Sequence, residues 1–218
     1  MKPSLISRLR PFDLALVSIM AAGNFAISLY VAPALTLLIP KVFVGALIMT
    51  PLNIFLSYVT WAITNKRIFT MYFFVYGLLT MPTTVWGNAP GLFKPILGVM
   101  IGLSLDMLAA KLQPESRFSK YAVAVLFPVI WWSLTGLMWL MAGLPVIQLF
   151  QGMLMSVPAL GTLAAQGFAL TFISIALMTM PSSIFATHGA VSLSNRLARI
   201  ITLPSTSTTE EIAHVRNK

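Results

Sequence analysis

Three stretches of the chain, residues 14–40, 42–65 and 121–195, contain no Asp, Glu, Lys or Arg, and nothing else in the sequence limits the fold as strongly. A soluble domain carries about 25% charged residues, whereas here charged residues make up 9% of 218 and hydrophobic residues 58%. An apolar run of about 20 residues is long enough to cross a bilayer as a helix. Inside lipid the backbone must satisfy its own hydrogen bonds, which a helix does within one segment. The fold expected is an all-α integral membrane protein, a compact bundle of about six transmembrane helices that makes the chain a multi-pass protein of the cell membrane. The spans fall at roughly 13–32, 42–64, 68–86, 92–111, 121–142 and 163–187, judged by apolar run length. Residues 1–12 then form a cytoplasmic N-terminus, 13–187 the membrane domain, and 188–218 a cytoplasmic helix end with a flexible tail.

Placement of charge decides what the net charge of +9 means. On this segmentation Lys2, Arg8, Arg10, Lys66, Arg67, Lys111, Arg117, Lys120, Arg196, Arg199, Arg216 and Lys218 share one side, leaving Lys41 and Lys94 opposite. An excess of Lys and Arg on one side sets the cytoplasmic face, so both termini are expected in the cytoplasm. The basic balance is thus a topology signal, and nucleic acid is not an expected partner. Lys2, Arg8 and Arg10 precede an apolar stretch as in a signal peptide, but no small-residue cleavage site of the A-x-A kind follows, and the stretch reads as a retained first helix. Residues 143–162 are apolar enough for a seventh span. A full crossing there would move Arg196 and Arg199 outside, so a connector lying at the outer face is expected, interrupted by Pro145 and Pro158.

The chemistry of an enzyme is missing from the sequence. There is no cysteine for a disulfide, a thiolate metal site or a nucleophile. His188 and His214 lack the spacing and acidic neighbours of a metal site. Neither a G-x-S-x-G elbow nor a G-x-x-x-x-G-K-[ST] phosphate loop occurs. No catalytic residues, no metal and no cofactor are expected, and any dependence on ATP must come from partner chains.

The first span carries the most specific pattern. In "DLALVSIMAAGNFAISL", Ser18, Ala22 and Ala26 recur every four residues with Ala15 close to the same face. Small residues at this spacing let helices approach closely in lipid, either within the chain or against another protein. An Ala22-Gly-Asn-Phe-Ala26 motif in the first helix, a connector bounded by Pro33 and Pro40, and a Gly-rich fourth helix in "PGLFKPILGVMIGLSLDMLAA" follow one another in a six-span chain. In these features the sequence resembles the substrate-binding S component of energy-coupling factor transporters, over roughly residues 10–190.

That resemblance implies a vitamin or similar micronutrient bound on the outer side, beneath a lid formed by residues 32–41. It implies docking of the Ala15, Ser18, Ala22 and Ala26 face on a transmembrane coupling protein driven by two cytoplasmic ATPases, with cargo released by toppling of the bound subunit. Candidate cargo contacts in the outward half are Asn24, Ser28, Tyr30, Asn53, Trp86, Asn88, Lys94, Trp139 and Gln166. Trp86 and Lys94 also suit the alternative roles of interfacial anchor and snorkelling lysine. All five acids, Asp13, Asp106, Glu115, Glu210 and Glu211, fall at or near the inner side, which favours a neutral or anionic cargo over a cation. Asp106 either pairs with a nearby basic residue such as Lys111 or carries protons. The second role would mark a self-sufficient proton-coupled transporter, the main competing class, and a non-transporting scaffold is the third.

Overall fold

The first helix begins where proline is best tolerated. Pro11 occupies the first turn, and the Asp13 carboxylate accepts the Arg10 backbone N–H at 2.8 Å, so an acidic group faces the positive end of the helix dipole. The computed structural model describes residues 9–40, 43–83, 91–113, 116–141 and 168–202. Among the described residues every regular element is helical: α1 (Pro11–Thr36), a π-helical segment (Val44–Met49) continuing into α2 (Thr50–Thr64), α3 (Phe69–Thr80), α4 (Phe93–Ala109), α5 (Arg117–Met141) and α6 (Phe168–Thr202). Three stretches, Pro11–Thr36, Val44–Thr64 and Arg117–Met138, are long and apolar enough to cross a membrane, which marks a membrane protein.

Neighbouring helices close a ring: α1 packs on α3, α3 on α4, α4 on α5, α5 on α6, α6 on α2, and α2 returns to α1. Aromatic rings fill the interior. Phe73 lies 5.7 Å from both Phe127 and Trp131, and the latter two rings stack at the same separation.

Several boundaries differ from the sequence expectation for identifiable reasons. The helix expected over 68–86 ends at Thr80, because Pro82 has no N–H with which to continue the ladder. The connector assigned to 32–41 is helical as far as Thr36, with Pro33 inside the last turns of α1 and the Thr36 hydroxyl donating to the Pro33 carbonyl at 2.7 Å. The last helix runs to Thr202, since Thr187, Val191 and Ser194 keep a buried face at helical spacing. The connector at 143–162 lies outside the described residues.

Pro51 accounts for the π-helical entry to α2. It has no N–H to offer the preceding turn, and the wider turn before it is stabilised from the side chains that follow. The Thr50 hydroxyl donates to the Gly45 carbonyl at 2.9 Å, and the Asn53 amide to the Met49 carbonyl at 2.7 Å. α2 ends at Asn65, which adopts the left-handed conformation (φ 50°) while its N–H bonds the Trp61 carbonyl at 2.8 Å.

The α3–α4 hairpin is held by glycine contact and charge. A Cβ on Gly98 would stand 2.2 Å from the Phe73 carbonyl oxygen, and one on Gly102 would stand 2.3 Å from the Thr70 Cα. Backbone therefore lies directly against backbone, as small residues permit in membranes. Asp106, at the far end of α4, accepts the N–H groups of Phe69 and Thr70 at 3.0 and 2.9 Å and the Thr70 hydroxyl at 2.6 Å. Lys94, at the near end, donates to the carbonyls of Thr80, at 3.0 Å, and Thr83. α3 has 12 residues, a length of about 18 Å, which is also the separation of Lys94 and Asp106 along α4 at a rise of about 1.5 Å per residue. One helix thus caps both ends of its neighbour, with an anion at the N-terminus and a cation at the C-terminus. This corrects the expectation that Asp106 pairs with a nearby basic side chain.

At the end of the bundle where α1 begins, Lys66 pairs with Asp13 at 2.5 Å. Asp106 brings the Lys111 end of α4 to the start of α3, and the ring contact of Tyr121 with His188, at 5.8 Å, joins the basic end of α5 to α6. Arg10, Lys66, Lys111 and Arg117 accordingly collect at one end of the bundle.

Candidate functional site

Lipid makes an amide or hydroxyl costly unless it finds a partner, and the bundle interior gathers five such side chains into one network. On α1, Asn24 and Ser28 stand one turn apart on the buried face, in line with Val17 and Ala21. α2 contributes Asn53, and α3 contributes Tyr72 and Tyr76, again one turn apart. The Asn24 amide donates to Asn53 Oδ1 at 2.7 Å and to the Tyr72 hydroxyl at 3.0 Å. Ser28 Oγ and the Tyr76 hydroxyl share a hydrogen bond of 2.8 Å. All five residues are at most 3% exposed, so the network is sealed from solvent.

One atom in it is left over. Asn24 Oδ1 is buried without a hydrogen-bond partner. Turning the Asn24 amide over would not repair this, because its oxygen would then face Asn53 Oδ1 while the Asn53 nitrogen is already donated to Met49. Three further buried groups without partners lie on α5, the Ser119 hydroxyl, the Trp132 indole Nε1 and the Thr135 hydroxyl. The network is neutral throughout. Built from amides and hydroxyls, it can sort hydrogen-bond donors from acceptors. Among the described residues no group of three or more His, Asp or Glu comes together that would hold a metal.

The sequence-derived contacts divide accordingly. Asn24, Ser28 and Asn53 meet in the network. Tyr30 does not, being 74% exposed on the outside of α1. It follows Ser28 by two positions, which turns it about 200° away around the helix. Lys94 is buried, which removes snorkelling, and its ammonium is engaged by the carbonyls of Thr80 and Thr83 instead of standing free for an anion. Trp86, Asn88 and Gln166 lie outside the described residues, as does the side chain of Trp139. Sequence reading missed Tyr72 and Tyr76, although two tyrosines at i, i+4 in "FTMYFFVYGLLT" were the available signal. The Ala15, Ser18, Ala22 and Ala26 stripe is exposed along its length, on the side of α1 away from Asn24 and Ser28, so packing against the described residues does not explain it.

An apolar groove of about 510 Å³ opens elsewhere on the surface, between α1, the π-helical segment, α2 and α6, with Ile27, Val31, Phe55 and Phe185 among its walls. It does not include the polar network. Compared with known protein families, curated proteins and solved structures, the chain matches none.

Proposed function

We propose that this chain is the membrane-embedded cargo-binding subunit of an ATP-driven micronutrient importer, similar to the S components of energy-coupling factor transporters. On this reading six spans cross the cell membrane with both termini in the cytoplasm, and cargo enters from the outer side. The subunit docks on a transmembrane coupling protein that two cytoplasmic ATPases drive, and it is not itself an enzyme. The observation that carries the reading is the two-sidedness of α1. One face sends Asn24 and Ser28 into a buried, neutral hydrogen-bonding network, while the other exposes Ala15, Ser18, Ala22 and Ala26. A helix that only packed its own bundle would need neither the polar interior nor a bare small-residue ridge in lipid.

The competing proton-coupled carrier needs a carboxylate free to take up and release protons. Asp106 is its candidate, and Asp106 is bonded to two backbone N–H groups and a hydroxyl at the start of α3.

Native mass spectrometry of the full chain, purified in detergent, tests whether it is a binder at all. A single small organic molecule retained in fixed proportion to protein is the expected result. A protein that carries lipid and detergent alone, from cells grown in rich medium, favours the scaffold.

A further inference from the structure

Two buried donors on α5 point to the kind of group the cargo presents. Trp132 is 8% exposed and Thr135 5%, and neither the indole Nε1 nor the threonine hydroxyl has a hydrogen-bond partner. Residues three apart on a helix share a face, with Cβ atoms about 5–6 Å apart. Buried polar groups in native proteins are overwhelmingly paired, so two exceptions on one face call for a cause.

Most buried hydroxyls among the described residues are paired, and Ser119, near the start of α5, is the other that is not. Thr60, Thr179 and Ser183 each donate to the carbonyl four residues earlier in their own helix, the usual way a hydroxyl is satisfied in lipid. Thr135 has the same option at the Trp131 carbonyl and does not take it. The Trp132 ring meanwhile reaches toward the π-helical segment, its Cη2 lying 3.6 Å from where a Cβ on Gly45 would stand. π-Helical turns occur disproportionately at functional sites. An indole can only donate, so what is missing there is an acceptor.

We infer that Trp132 and Thr135 form a cargo subsite that receives a neutral acceptor oxygen, the carbonyl of an amide or heterocycle. The inference rests on the cargo-binding reading and narrows its cargo from neutral-or-anionic to neutral at this contact. A carboxylate held by an indole and a hydroxyl alone would be a buried charge without a counter-charge. Lys94, the one fully buried basic residue among those described, is engaged by the carbonyls of Thr80 and Thr83.

The test uses the full chain in detergent with its five tryptophans labelled with ¹⁵N at the indole. Three probes are titrated: nicotinamide, a neutral amide; nicotinate, the same ring bearing a carboxylate; and benzene, which has no acceptor oxygen. The Trp132 resonance is identified by its loss in Trp132→Phe. Nicotinamide is expected to move it while nicotinate and benzene leave it in place, and Thr135→Val should weaken the nicotinamide response roughly tenfold, the loss of one hydrogen bond. Thr135→Val should also raise the thermal midpoint of the ligand-free protein, because it removes an unpaired polar group without changing shape. A packing role predicts the opposite shift. A Trp132 signal unmoved by nicotinamide, or moved equally by benzene, overturns the subsite, and so does a lowered midpoint for Thr135→Val. If the protein retains a native small molecule whose binding Thr135→Val leaves intact, the subsite fails and the importer reading stands. If nicotinamide moves the Trp132 signal in a protein that carries no native small molecule, the subsite stands and the importer reading fails.

Discussion

Gly98→Ala is expected to destabilise the protein by about 3 kcal/mol or more, at the upper end of what overpacking costs. The added methyl would lie 2.2 Å from the Phe73 carbonyl oxygen and 2.8 Å from its carbon, so the obstacle is backbone and cannot swing aside. α3 and α4 must separate. In doing so they strain the bonds that Asp106 and Lys94 make to the two ends of α3, so packing and capping are lost together. Thermal unfolding in detergent reads the effect directly. Gly23→Ala supplies the control, since a Cβ there meets nothing within 4 Å, and in an exposed helix alanine is favoured over glycine by about 1 kcal/mol. If Gly98→Ala unfolds at the same temperature as Gly23→Ala, the close α3–α4 contact is wrong.

Ala22→Trp and Ala26→Trp carry the largest expected effect on function. Both positions are exposed on α1, so the isolated subunit should accommodate an indole at either without repacking its core. A coupling protein seated on the same ridge would be held off by the added bulk. Uptake in cells that contain the coupling protein and ATPases should fall to background, and the variants should no longer co-purify with those partners. Binding of the retained small molecule should be unchanged, because Asn24 and Ser28 occupy the other side of the helix. Normal uptake in both variants would remove the docking role from this face.

Much of the helical layout was legible because it depends on long apolar runs and on prolines, features that need no tertiary contact. The described helices overlap the six segments expected, but α1 runs past both ends of its segment and continues through Pro33 to Thr36, α5 begins four residues early at Arg117, and the buried face from Thr187 to Ser194 carries α6 on to Thr202. Side-chain roles were less legible, because a polar residue in an apolar helix does not announce its partner. Asn24 and Ser28 stand out by polarity alone and enter the buried network, while Tyr30, polar and two positions on, points outward. Considered alone, Lys94 reads as a cargo contact or a snorkelling lysine, and Asp106 as the partner of a nearby basic residue or a proton carrier. Their capping roles follow from the match between their spacing on α4 and the length of α3, which only the packed hairpin reveals. The Gly98–Gly102 pair had the small-residue spacing sought in α1, yet it forms the internal contact while the α1 stripe stays bare.

Reconstitution tests the central claim most directly. Proteoliposomes containing only this chain should bind the small molecule identified by native mass spectrometry but fail to concentrate it, even with a proton gradient imposed. Adding the coupling protein and ATPases should produce ATP-dependent accumulation. Gradient-driven accumulation by the chain alone, abolished in Asp106→Asn, would contradict the account and establish a proton-coupled carrier.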